Sequence, residues 1–215
     1  VRLSGDTIYL LDYNRDMQQV FNGNRNVLDE NGIRFGIASD NIQYVANDDD
    51  TIVAFVRERD LWLYNKKTDE LSQVFSFANR EGRDERSRND QHAVRIISME
   101  NSGSLAFAVY GYMNCGAHEG EVGVGIYYFN IDSSAIEEKA FIPSTKSFAI
   151  AEDELGKMVY YNHSQEMLYV LAAGSLYQVD LEADKQKVLA DGLEEGQYAV
   201  SDDGHLMAYQ TDGTL

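Results

Sequence analysis

Short runs in which apolar and aromatic residues alternate with polar ones recur along the chain, separated by clusters of Gly, Asn, Asp and Ser. A period of two is the pattern of a strand with one buried face, and the clusters supply the backbone conformations of tight turns. A single Pro beside 14 Tyr and 9 Phe strengthens that reading, because aromatic side chains suit a pleated, half-buried surface. The one stretch with a helical look, 181–193, contains Asp184 and Gly192 and reads equally well as a hairpin.

Within the strands a five-residue signature repeats: apolar, aromatic, any residue, apolar or aromatic, then Asp or Asn. Its copies are Ile8-Tyr9-Leu10-Leu11-Asp12, Leu61-Trp62-Leu63-Tyr64-Asn65, Ile126-Tyr127-Tyr128-Phe129-Asn130 and Leu176-Tyr177-Gln178-Val179-Asp180. Each leads through a polar turn into a second strand, ending at Val20-Phe21, Val74-Phe75, Ala140-Phe141 and Val188-Leu189. The copies start 53, 65 and 50 residues apart. That spacing fits a four-stranded propeller blade of roughly 40–50 residues carrying insertions. A polar turn and a strand also precede the signature, as in Asp49-Asp50-Thr51-Ile52-Val53-Ala54-Phe55 and Ser102-Gly103-Ser104-Leu105-Ala106-Phe107. Later copies are Ser164-Gln165-Glu166-Met167-Leu168-Tyr169 and Asp203-Gly204-His205-Leu206-Met207-Ala208-Tyr209.

One blade cannot bury both its faces, so neighbours must stack. The expected fold is all-β: a β-propeller or propeller segment with three full four-stranded blades, over 33–78, 93–142 and 147–190, and half blades over 1–32 and 197–215. Phe35-Gly36-Ile37-Ala38 and Phe148-Ala149-Ile150-Ala151 read as further strands that start a blade or end its predecessor. The chain begins at Val1 almost directly on a strand and stops just after one, which leads to the expectation of a longer polypeptide with further blades.

The last repeat, Asp203-Gly204-His205-Leu206-Met207-Ala208-Tyr209 with Ser201 and Asp202 in front, resembles the Ser-Pro-Asp-Gly-x-x-apolar-Ala-aromatic repeat of TolB-like propellers. The propeller domains of dipeptidyl-peptidase-type enzymes share that repeat, and Asp202 stands where it has Pro. The resemblance implies a fold and leaves function to be argued from a site.

Charge narrows the partners. The chain holds 36 acidic and 18 basic residues, a formal charge of −18 with a pI near 4.4. Such a field repels phosphate backbones and anionic lipid headgroups, which argues against nucleic acid. It reads as a solvated surface, or as one that binds cations or steers a partner. No apolar run reaches the ~18 residues of a membrane span. Cys115 is the single cysteine, so no disulfide forms within the chain.

Candidate chemistry gathers in the longest gap between signatures, where Tyr110-Gly111-Tyr112-Met113-Asn114-Cys115-Gly116-Ala117-His118-Glu119-Gly120-Glu121 reads as an insertion between strands. Long loops on a rigid scaffold are where binding residues collect. The other reading is an extended hairpin whose tyrosines pack on blade edges. Cys115 and His118 lack the third and fourth ligands of a zinc site, and as a nucleophile pair they lack an orienting group and an oxyanion site. Gly120-x-x-Gly123-x-Gly125 precedes a strand instead of opening a helix, so phosphate binding has no basis there. No Gly-x-Ser-x-Gly elbow occurs. Asn47-Asp48-Asp49-Asp50 lacks the ligand spacing of a calcium loop and reads as a hairpin turn. The segment 79–92 carries Arg80, Arg83, Arg86 and Arg88 among acids, and reads as an ion-paired loop or as a receptor for carboxylates.

The combination of Tyr110-Gly111-Tyr112-Met113-Asn114 with His118-Glu119-Gly120 is similar to uncharacterised, membrane-anchored propeller proteins of Gram-positive anaerobes. That resemblance implies no activity and an extracytoplasmic setting, with a cytoplasmic one left open. The expected function is a non-catalytic binding or scaffolding module with no cofactor, no metal and no catalytic residue. Tyr110, Tyr112, His118, Glu119 and Glu121, with Arg83, Arg86 and Arg88, would face a protein, peptide or glycan. The alternative is a substrate-gating propeller of a hydrolase whose catalytic domain lies elsewhere. Two structural expectations follow. Residues 113–121 form a surface loop whose deletion leaves stability nearly unchanged, and Trp62, in the aromatic slot of the repeat, is largely buried.

Overall fold

The Asp or Asn that closes each signature makes the turn that follows it. In a computed structural model describing residues 2–4, 7–9, 28–29, 32–33, 42–78, 86–144, 158–172, 174–194, 196–201 and 206–210, the Asn65 Oδ1 accepts from the backbone N–H groups of Lys67 and Thr68. Asn130 does the same for Ser133, and Asp180 for Ala183. Each turn then passes through a left-handed residue, Asp69, Ser134 or Asp184. A short acceptor side chain that folds back on its own backbone is the reason these residue types start turns.

Two compact units are formed, 1–41 and 42–215. In the first, β1 (Arg2–Ser4) pairs with β2 (Thr7–Tyr9) and β3 (Leu28–Asp29) with β4 (Gly32–Ile33), both antiparallel. The second holds three four-stranded antiparallel meanders, in which each strand pairs with the next in sequence. The first sheet comprises β5 (Tyr44–Ala46), β6 (Ile52–Arg57), β7 (Asp60–Asn65) and β8 (Glu70–Phe75). The second comprises β9 (His92–Met99), β10 (Leu105–Tyr112), β11 (Val122–Asn130) and β12 (Ala135–Pro143). The third comprises β13 (Val159–Asn162), β14 (Met167–Ala172), β15 (Ser175–Asp180) and β16 (Lys185–Ala190), and a two-stranded sheet of β17 (Tyr198–Val200) and β18 (Met207–Tyr209) follows. Among the described residues there is no α-helix; the 181–193 stretch is the turn into β16 and the strand itself. Residues 10–12 and 20–21, the strands expected at 35–38 and 148–151, the arginine segment 79–85 and residues 202–205 of the last repeat lie outside the described residues.

Successive sheets of the second unit stack face to face, as propeller blades do. The central strand β10 shows how the pattern dictates this. Leu105, Phe107 and Val109 face the first sheet and pack with Ile52, Leu61 and Leu63. Ala106 and Ala108, on the opposite face, pack with Val159, Tyr161 and Leu168 of the third. The third sheet in turn meets β17 and β18 through Leu171 and Leu176 against Tyr198 and Met207. Polar ties join the first two blades as well. The Gln43 side chain bonds the N–H of Ile96, and the buried Asn47 amide donates to the Asn101 carbonyl while its oxygen accepts from Thr51 and Ile52. The Asn47–Asp50 stretch is thus a hairpin turn, with Asp50 in the left-handed region.

Trp62 departs from expectation. It is half-buried, on the face of β7 opposite Leu61 and Leu63, and its cross-strand partner is Phe55. Strand alternation turns the aromatic slot away from the stacking face that its apolar neighbours occupy.

Candidate functional site

The same irregularity interrupts all three blades. Between the first and second signature residues, at Leu61/Trp62, Ile126/Tyr127 and Leu176/Tyr177, the pairing with the outer strand shifts by one residue. The extra outer-strand residue is Val74 in the first blade, Leu189 in the third and Lys139 in the second. A β-bulge bends its strand and re-aims side chains, and such kinks often adjoin binding sites. In the second blade it places adjacent charges in two different junctions.

Glu138 lies opposite Tyr127 and serves the junction between the first and second blades. The His118 Nε2 is 2.9 Å from its Oε1, and the Tyr127 phenol lies beside the same carboxylate. Burial, then the charge of Glu138, hold the Tyr127 phenol well above its ordinary range, so it stays a neutral donor. The His118 ring stacks on Phe141 with centroids 3.7 Å apart, and its Nδ1 lies 3.8 Å from Glu121. Two glycines make room for these rings. A Cβ at Gly125 would stand 2.6 Å from the Tyr127 ring, and one at Gly123 would stand 2.7 Å from Phe141 and 2.4 Å from the Ile142 carbonyl oxygen. The Gly120-x-x-Gly123-x-Gly125 pattern therefore serves aromatic packing.

The loop above them is anchored at its root. Met113 exchanges backbone hydrogen bonds with Gly120 and Glu121, and its side chain, 1 % exposed, sits in the core between the first two blades. Asn114, also 1 % exposed, donates to the carbonyls of Ser87 and Asn89. Residues 113 and 114 are thus core, which corrects the expectation of a loop that is superficial throughout; its exposed part is 116–121, with His118 half-buried within it.

Between this loop and the last strand of the first blade opens a cleft of about 390 Å³. Phe75, Phe77, Met113, Tyr127 and Ile136 are its large apolar and aromatic lining residues, with Glu138, His118, Gln73, Ser76 and Cys115 as polar or polarisable groups. Glu138 is 35 % exposed there.

Lys139 serves the other junction. Its ammonium lies 3.0 Å from Glu137 and 3.3 Å from Glu166 of the third blade. Glu166 also accepts from the fully buried Tyr161 hydroxyl at 2.5 Å, and His163 stacks on Tyr128 at 3.7 Å. Burial pushes the Glu166 carboxyl up, but the Tyr161 hydroxyl and Lys139 outweigh it and leave the net shift downward.

Of the eight residues proposed from the sequence to face a partner, His118 alone lines the cleft. Glu121 flanks it, and Glu119 pairs with Arg86 at 2.7 Å on the exposed side of the loop. Tyr112 is half-buried, its hydroxyl near Gly120, and Tyr110 packs toward the third blade. Arg88 is exposed, and Arg83 lies outside the described residues. Glu138, Tyr127, Phe75, Phe77 and Met113 were missed. The register of the bulge, which strand pairing shows at Val74, Lys139 and Leu189 and the sequence repeat does not, is what points to Glu138. Both ring nitrogens of His118 face carboxylates, and no group of three or more metal-ligating side chains occurs among the described residues.

No protein-family model matches the sequence, and no curated protein does. Solved structures similar to the chain include TolB from Acinetobacter baumannii, with 14% identity and a TM-score of 0.45 over 81% of this chain and 39% of that one. Dipeptidyl peptidase 4 from Porphyromonas gingivalis gives 11% and 0.43 over 75% and 28%, and oligogalacturonate lyase from Vibrio parahaemolyticus 13% and 0.43 over 73% and 37%. The first two are of the kinds that the last repeat resembles. The chain spans 28% to 39% of the length of these structures, and no residue role passes from them to it.

Proposed function

We propose that this chain is a non-catalytic binding module, and that the cleft between its first and second blades takes a protein or peptide partner. The observation that carries the reading is the cleft itself: Phe75, Tyr127 and Ile136 line it together with Gln73, Ser76, His118 and Glu138, and it is roofed by a loop that Met113 and Asn114 hold to the core. Its volume falls at the small end of the roughly 300–1,000 Å³ typical of ligand pockets, which suits one or two side chains. The aromatic and aliphatic part of the lining suits the apolar portion of a peptide side chain, with a few polar groups to orient it, which favours peptide over glycan. The His118 imidazole is committed to Glu138 and to stacking on Phe141, which favours binding over turnover. An extracytoplasmic setting accords with such a module and rests on the resemblance of the 110–120 stretch.

Peptide and glycan arrays probed with the purified chain and with Ala117→Trp test this. Ala117 is exposed at the cleft, so the indole fills the cleft without entering the core. Peptides should be retained by the parent chain and lose at least about ten-fold in signal with the variant, at unchanged circular dichroism. Equal retention by both proteins, or binding confined to glycans, would overturn the reading.

A further inference from the structure

We infer that the cleft recognises a basic residue, seating the stem of a lysine or arginine against its apolar wall and the cationic head on Glu138. The inference rests on the cleft being the binding site. Glu138 is the one carboxylate among the described residues that line it, and no lysine or arginine is among them. A carboxylate accepts roughly four hydrogen bonds, and the His118 ring supplies one, which leaves acceptor capacity on a group still open to solvent. The His118 ring, itself stacked on Phe141, also holds the carboxylate in place, so little freedom is lost when a cation arrives. The bulge sends Lys139, the adjacent cation, to Glu166 in the next junction, so Glu138 is not neutralised from its own strand.

The walls complete the match. Lysine and arginine carry apolar stems that lie along hydrophobic surface while the head stays polar, and Ile136, Phe75 and Tyr127 offer that surface. Arginine gains further from aromatic faces and from a fork that a carboxylate meets bidentately. A net charge of −18 steers basic segments toward the whole chain, and the cleft gives that attraction a place to end. The equivalent outer-strand position holds Gln73 in the first blade and Val188 in the third, so among the described blades only the second presents a charge there.

The test uses fluorescein-labelled heptapeptide pools, randomised except for a fixed centre of lysine, arginine, norleucine or glutamate, titrated against the chain by anisotropy. Lysine and arginine pools should bind at least about ten-fold tighter than norleucine, with glutamate weakest. Glu138→Gln keeps an acceptor for His118 but removes the charge, and should reduce the preference over norleucine to less than about two-fold with the thermal midpoint retained. If Ala117→Trp abolishes binding but norleucine binds as tightly as lysine, the cleft is the site and the basic preference is wrong. If Ala117→Trp leaves every pool unaffected, or no pool binds the parent chain, the site and its preference both fall.

Discussion

Glu138 and Lys139 leave one bulge in opposite senses, and their titrating neighbours make the two junctions testable separately. Glu166, paired with Lys139 and Tyr161, has its carboxyl lowered, so its stabilising contribution is present above the ordinary carboxylate value and is lost as pH falls through the lowered one. Glu166→Gln should therefore be less stable than the parent at pH 7, with the gap closing in strongly acidic buffer; denaturant titrations across that range measure it. His92 behaves in the other direction. Burial, then the nearby Arg59, lowers it from 6.5 to about 4, and its ring packs edge-on against Phe77. Between those values the unfolded chain holds the proton and the folded chain does not, so stability drops as pH falls from 6.5 toward 4. His92→Gln should flatten that limb by up to about 3 kcal/mol in the same titrations. Neither role was visible in the sequence. Glu137-Glu138-Lys139 reads as the solvated face of an edge strand, and only the bulge shows that adjacent charges enter different junctions.

At the scale of elements, the signature was readable because its parts are local. Alternation marks the strand, and the closing Asp or Asn marks the turn that its own side chain builds. What was not local was lost. Met113 follows two tyrosines in a polar stretch, and nothing in its neighbourhood announces that it crosses to the first blade's core. Met113→Ala should cost about 2–5 kcal/mol, against almost nothing for Ala117→Trp, when thermal midpoints are compared. Gly123→Ala meets the Ile142 carbonyl oxygen and should cost about 1–3 kcal/mol by the same measurement, with no side-chain rearrangement able to relieve it. Trp62, the only tryptophan, should emit between the limits of buried and free indole and show partial quenching by acrylamide, in keeping with its half-buried face.

For the molecule as a whole, the three stacked meanders and following hairpin among the described residues should make far-UV circular dichroism strand-dominated, with no helical double minimum. That architecture was legible because each sheet is a run of neighbours in sequence, whereas the cleft arises only where two sheets meet. Its most direct probe is already built in, since the single cysteine lines it. The rate at which iodoacetamide modifies Cys115 can be followed by mass spectrometry with and without a saturating lysine-centred peptide. If the cleft is the binding site, bound peptide slows the modification several-fold, and Ala117→Trp removes the protection. An unchanged rate with the peptide demonstrably bound would place the partner elsewhere and contradict the account.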